Sequence, residues 1–160
     1  SKTDDFIKMI KLINKTNDFM KIRNLNRNDF DQVLNLLVTS FSSRYNHPLI
    51  NENLNNPNTI CLVAEIDNVI IGVASLHIIE KLTRKMGLIE DVAVDLKYRG
   101  KGIGKKLIQK LIVESKKQGC DKTVLNSTEN NVPFYEKIGF PFGSYDTWCC
   151  VRKISRVKYS

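Results

Sequence analysis

Apolar and polar residues alternate along this chain with two different periods. Ile60 to Ile66 and Val69 to Ile79 are apolar runs separated by Asp67-Asn68. Asp and Asn tolerate the left-handed backbone of a tight turn, so two long antiparallel strands are predicted. Gly87 to Val94 reads as a further strand, Met20 to Arg23 as a first one, Thr123 to Leu125 as a short buried one and Thr147 to Ile154 as the last. From Gly102 to Lys117 the period becomes helical, with Ile103, Leu107, Ile108, Leu111 and Ile112 on one face and Gly119 as the stop. Phe30, Val33, Leu34, Leu37, Val38 and Phe41 form a second helical stripe, for which Asn26 or Asn28 is the cap. Val132 to Ile138 is a short helix closed by Gly139, and Asn51 to Asn58 is a surface loop with a short helical turn. Phe6, Ile7, Ile10, Leu12 and Ile13 give residues 1–17 the character of an N-terminal helix or arm. Residues 18–160 then read as a single mixed α/β domain without repeats.

Composition narrows the class. With 160 residues and 42% hydrophobic content, a core of ordinary size is expected without disulfides or structural metal. The longest apolar-rich run, Val69 to Ile79, is too short for a membrane span and contains Ser75 and His77. A soluble cytoplasmic protein is expected, with no membrane partner. Cys61, Cys120, Cys149 and Cys150 have neither CxxC spacing nor histidine partners, so no metal and a reducing compartment are expected. His77, inside an apolar run, is expected to be a structural histidine.

The formal net charge is +8, which favours anionic partners. Lys97, Arg99, Lys101, Lys105 and Lys106 are interleaved with glycines rather than aromatics. That suits a compact phosphate and argues against nucleic acid. The core of the cluster is Arg99-Gly100-Lys101-Gly102-Ile103-Gly104-Lys105, between a strand and a helix. Glycines there let backbone N–H groups approach an anion, and the helix presents the positive end of its dipole. Neither GxxxxGK[ST] nor GxGxxG occurs in this loop, so ATP and NAD lose their main support.

The run Arg99-x-x-Gly102-x-Gly104 resembles the acyl-CoA pyrophosphate loop of the GNAT superfamily of acetyl-CoA-dependent N-acetyltransferases. Asn131-Val132-Pro133-Phe134-Tyr135-Glu136-Lys137-Ile138-Gly139-Phe140 is similar to that superfamily's N-x-x-x-F-Y-x-x-x-G-F segment. The likeness spans roughly Met20 to Arg152. It implies a twisted, mixed but mostly antiparallel sheet of about six to seven strands flanked by about four helices. Within the superfamily, Ile89-Glu90-Asp91-Val92-Ala93-Val94-Asp95 together with Glu129 to Lys137 resembles the glucosamine-6-phosphate N-acetyltransferases. The chain departs from them at Asn126, where they have an Asp that meets the sugar amine across a dimer interface, and at Leu88, where they have His.

The resemblance implies acetyl-CoA as donor substrate, D-glucosamine 6-phosphate as acceptor, a place in UDP-GlcNAc biosynthesis and a homodimer made through the last strand. It implies a donor site of Val92, Val94, Arg99, Gly100, Lys101, Gly102, Gly104, Lys105, Asn131, Phe134, Tyr135 and Lys137. Acyl transfer to an amine needs a polarised carbonyl, a neutral amine and a proton for the departing thiolate. A backbone N–H at Val92, on a strand splayed from its neighbour, is matched to the carbonyl. Tyr135, with a phenol near its ordinary pKa of about 10, is matched to the sulfur. Glu90 and Asp91 are matched to the amine, and because neighbours on a strand point oppositely only one of them is expected to face the cleft. Glu90, Asp91, Asn126 and Arg152 make up the acceptor site, Arg152 as a bidentate phosphate ligand backed by Lys137 and Lys153. Two other readings stand beside this one. Acetylation of a protein lysine or N-terminal amine would need a peptide-wide groove, and a non-catalytic acyl-CoA-binding module would need the acidic groups to have no amine to serve.

Overall fold

The computed structural model describes residues 1–13, 20–41, 51–127, 131–137 and 149–153. Its elements run α1 (Lys2–Ile13), β1 (Lys21–Asn24), α2 (Phe30–Ser40), β2 (Thr59–Ile66), β3 (Val69–Glu80), β4 (Lys85–Val94), α3 (Ile103–Lys117), β5 (Cys120–Ser127), α4 (Val132–Lys137) and β6 (Cys149–Lys153). Among the described residues the six strands form one sheet in sequential order, β1 to β6. Neighbours are antiparallel from β1 to β4, and β4–β5 and β5–β6 are parallel. Four helices and a six-stranded, mixed sheet agree with the expected architecture.

The β2–β3 hairpin turns where the sequence indicates. Asp67 and Asn68 both have positive φ, 49° and 65°, the twist that lets two strands close over a two-residue loop. β3 runs through the middle of the sheet, and its residues 70–76 are all buried. α3 covers one face, packing Ile103, Leu107, Ile108, Leu111 and Ile112 over Ile71, Ala74, Leu76 and Ile89. α2 covers the other with Val33, Leu36 and Leu37 over Val63, Ile70, Val73 and Ala93. The α2 stripe differs in detail from expectation: Leu36 is buried, Leu34 and Val38 are half-buried, and Phe41 is 40% exposed. The face seated on the sheet is centred on the Val33–Leu37 line, so the outlying members of the stripe tilt away.

Two devices hold these layers at fixed distances. A Cβ built on Gly87 of β4 would collide with the Ser115 hydroxyl of α3, and Ser115 Oγ accepts a hydrogen bond from Thr123 Oγ1 of β5 at 2.7 Å. α3 therefore lies closer to the β4–β5 pair than any residue with a side chain at 87 would allow. On the opposite side Asn26 caps the helical turn Arg27–Asp29, and the Asp29 carboxylate accepts from the Asn26 N–H in return. That carboxylate is 5% exposed and takes a two-pronged guanidinium contact from Arg23 at 2.7 and 2.8 Å, while Arg23 also reaches Glu65 at 3.0 Å. Arg23 and Asp29 thus tie β1, the entry to α2 and β2 together. α1 lies on α3, with Lys116 Nζ 4.7 Å from the Phe6 ring centre.

Residues 14–17 of the expected N-terminal arm lie outside the described residues, as do Thr128, Asn130, Ile138, Gly139 and Thr147. The segment Asn51 to Asn58, expected as a surface loop with a short helical turn, forms a helical turn at Asn51–Asn55 and then a turn that leads into β2 at Thr59.

Candidate active site

β4 and β5 pair from Lys85↔Cys120 to Ile89↔Leu125 and no further, although β4 continues to Val94 and β5 to Ser127. The two strands splay, leaving Glu90 to Val94 without a β5 neighbour. On the other side β4 stays joined to β3, but with a bulge. Val73 pairs with Ala93 and Ser75 with Glu90, so Asp91 and Val92 together oppose Ala74. Asp91 is the residue that makes this possible, at φ 54°, a conformation that Asp accepts better than most side chains.

The bulge overturns one expectation. Strict alternation would point Glu90 and Asp91 to opposite faces, yet both line the same cleft. The inserted residue shifts the phase of the strand: Ile89 and Val92, three positions apart, both pack toward α3, while Ala93 packs toward α2.

The cleft is a cavity of about 590 Å³ between the splayed strands, the loop before α3 and α4. It brings together Glu90, Asp91, Val92, Val94, Arg99, Gly100, Gly102, Gly104, Lys105, Asn126, Asn131, Phe134 and Tyr135. Its floor is built by a short chain of local bonds. Asp95 caps the turn Leu96–Tyr98 by accepting from the Lys97 N–H at 2.9 Å, and Arg99 Nε donates to the Val94 carbonyl at 3.0 Å. Gly100 and Gly102 then take positive φ, 77° and 81°, and Gly102 starts α3 with no side-chain cap on the helix. The first-turn amides of a 15-residue helix therefore open toward the cleft beside Lys105, which fits an anionic group such as a pyrophosphate.

Tyr135 closes the other wall. It is half-buried, packed on the α3 side of the core, with its ring edge-on to Phe134 at 5.1 Å between centres. Burial, and then the charge of Glu90, hold its phenol above the ordinary value of 10. The hydroxyl therefore stays protonated throughout the neutral range.

Two expected residues, Lys101 and Lys137, are not among the cleft residues. Lys101 is not itself a lining residue, although its Nζ lies 5.3 Å from the ring centre of Tyr98, which is. Lys137 is exposed in the last turn of α4. Position 152 lies on β6 at the register position of Asn126, but the Arg152 side chain is outside the described part, as is that of Lys153. Sequence reasoning did not find Ser40, Phe41, Tyr98 and Ser127, which line the cleft along with the core residues Ile89, Ala93, Ile103 and Leu125. For Phe41 a signal existed: an aromatic ending an amphipathic helix just beyond its last buried turn.

This arrangement has counterparts among known proteins. Glucosamine 6-phosphate N-acetyltransferase of Trypanosoma brucei brucei is 53% identical over 74 residues, 44% of this chain and 50% of that protein, so the chain spans about half the length of this relative. Glucosamine 6-phosphate N-acetyltransferase 1 of Dictyostelium discoideum is 33% identical over 134 residues, 77% of this chain and 85% of that protein. The crystal structure of glucosamine-6-phosphate N-acetyltransferase from Arabidopsis thaliana superposes with a TM-score of 0.68 at 29% identity, covering 89% of this chain and 99% of that one. Residues 30–140 match the acetyltransferase (GNAT) family as a whole. With a family match over residues 30–140 and a relative of this identity and coverage, the chain belongs to the acetyltransferase (GNAT) family.

Proposed function

We propose that the chain transfers the acetyl group of acetyl-CoA to the amine of D-glucosamine 6-phosphate, giving N-acetylglucosamine 6-phosphate for UDP-GlcNAc synthesis. The observation that carries this reading is the bulge at Asp91, which turns two carboxylates into one cleft that also holds an anion-binding helix start and a protonated phenol. The names of the relatives supply the acceptor.

In this reading the pyrophosphate of the donor lies on the α3 start, with Gly100, Gly102, Gly104, Lys105 and Arg99 around it. Asn131 and Phe134 flank the pantetheine arm, and Val94 lines its path. The Val92 N–H stabilises the charge that develops on the carbonyl oxygen. Glu90 and Asp91 attract the acceptor ammonium and take its proton, while Tyr135 hydrogen-bonds the departing sulfur. Arg152 serves the sugar phosphate. A carboxamide at Asn126 keeps a polar contact where an acidic residue would add a charge. A homodimer paired along β6, in the cytoplasm, completes the proposal.

The test is release of CoA, followed with a thiol reagent, from acetyl-CoA mixed with glucosamine 6-phosphate, unphosphorylated glucosamine or a lysine peptide. Release that is fast with the phosphorylated sugar and slow with the other two is the expected result. Release with the peptide alone would move the function to protein acetylation. Acetyl-CoA binding with no release from any acceptor would leave a binding module.

A further inference from the structure

On the opposite face of the sheet, toward α2, lies a second cavity of about 260 Å³. Asp91 is the residue it has in common with the donor cleft. The bulge therefore places one carboxylate between two chambers. On the far side of Asp91 is a connected pair of polar side chains from β3: Ser75 Oγ lies 3.4 Å from Asp91 Oδ2 and 2.9 Å from His77 Nε2. Ser75 is 3% exposed, and its hydroxyl also reaches the Glu90 carbonyl at 3.0 Å.

With hydrogen on Nδ1 of His77, donors and acceptors do not balance at this point. A serine hydroxyl carries one hydrogen. The Glu90 carbonyl and an ionised Asp91 are acceptors only, and in the Nδ1–H tautomer so is His77 Nε2. Three acceptors then surround one hydrogen, an arrangement that is completed by the arrival of a proton. The other titratable group lining this cavity is Cys61 of β2, whose thiol is pushed up to about 11 by burial and by Asp91 and so stays protonated. α2 contributes Phe30, Val33 and Leu37, β2 contributes Ile60 and the helical turn before β2 contributes Leu54, all apolar.

We propose that Asp91, Ser75 and His77 form a proton path that carries the proton of the acceptor ammonium out of the cleft and through the sheet to the second cavity. This rests on the acetyl-transfer reading above. One N–H bond of the ammonium breaks and its proton goes to the Asp91 carboxylate. The Asp91 O–H then gives its proton to Ser75 Oγ as the Ser75 hydroxyl proton passes to His77 Nε2. The imidazolium gives its Nδ1 proton to water, and return of the ring to the Nδ1–H tautomer through solvent, together with rotation of the Ser75 hydroxyl, resets the path. Asp91 thereby regains its charge on the side of the sheet away from the bound donor. His77, which the sequence marks as structural, becomes a positioning and proton-carrying residue.

The experiment compares wild type with Ser75→Ala, Ser75→Thr and His77→Gln, using whichever acceptor releases CoA, across pH 6 to 9. Ser75→Ala and His77→Gln should lower kcat about tenfold or more near pH 7 with the KM for acetyl-CoA unchanged. The deficit should shrink as pH rises and the acceptor arrives already neutral, and Ser75→Thr should restore the rate. A deficit that is the same at every pH, or that Thr does not repair, overturns the path. A second readout needs no turnover. The imidazole nitrogen shifts of His77 by NMR, with His47→Gln for assignment, should report hydrogen on Nδ1 and an acceptor at Nε2. The opposite tautomer overturns the proposal whatever the activity. The expected tautomer in a wild-type protein inactive toward every acceptor would overturn the acetyl-transfer reading, and the catalytic role of the path with it.

Discussion

Replacing Tyr135 by Phe removes one oxygen atom and keeps the ring that packs edge-on against Phe134. Its effect follows from the direction in which the phenol is shifted. Burial and the Glu90 charge hold the Tyr135 hydroxyl above pKa 10, whereas an ordinary thiol titrates near 8.5, so full transfer of the phenolic proton to a departing thiolate is uphill by at least ~1.5 units, or ~2 kcal/mol. In the proposed reaction the phenol therefore acts by hydrogen-bonding the sulfur as charge grows on it. A hydrogen bond to a charged group contributes ~1.5–3 kcal/mol, which corresponds to a loss of about 10- to 150-fold in kcat. The assay is steady-state CoA release at saturating acceptor, with acetyl-CoA varied to separate kcat from KM. A kcat within about threefold of wild type, or a loss confined to KM, would refute the reasoning, since an interaction that strengthens only in the transition state acts on kcat. The alkaline side gives an independent check. Once Tyr135 ionises it cannot donate, so wild-type kcat should fall only above pH 10, and the Phe variant should lack that limb.

Three further outcomes follow from the packing and the charges. Gly87→Ala drives a methyl group into the Ser115 hydroxyl and should cost about 1–3 kcal/mol in a urea melt; Ser115→Gly on top of it should recover part of the loss, and additive losses would refute the contact. Arg23→Met leaves the buried Asp29 without its guanidinium and should cost about 3–5 kcal/mol. Arg23 first, and the Asn26 backbone N–H after it, hold the Asp29 carboxyl below its usual range. The wild type should therefore keep this stability above about pH 4 and lose it as pH falls further, and in Arg23→Met that acid limb should flatten. Cys61 is raised to about 11 by burial and then by Asp91, so stability should be intact below about pH 8.5 and decline as pH rises from there to 11; chemical denaturation of Cys61→Ala over that range should show a shallower decline.

What could be read from the sequence, and what could not, divides along a physical line. α3 and the β2–β3 hairpin were legible because periodicity and turn chemistry are local: Ile103, Leu107, Ile108, Leu111 and Ile112 repeat every turn, and Asp67-Asn68 suit a left-handed bend. The glycine loop was legible for the same reason. The bulge at Asp91 was not, because an extra residue on one strand exists only relative to its partner, and Ala74 opposite gives no sign of facing two residues. That one insertion decides where Glu90 and Asp91 point, so the roles of both could be named while their geometry could not. Gly87 looked like a strand start and is instead a contact with Ser115. Lys101 counted as one more charge in a basic run, and its place beside the Tyr98 ring exists only in the folded loop.

The five register pairs that join β4 to β5 all lie at one end of the gap, so these strands behave as a pair of tongs. The Gly87, Ser115 and Thr123 cluster sits at the pivot, and the tips are Val94 on one arm and Ser127 on the other. A small rotation at a pivot is multiplied along the arms. Positions 87, 115 and 123, which do not line the cleft, therefore hold the root of both arms and with it the spacing of the strands that do.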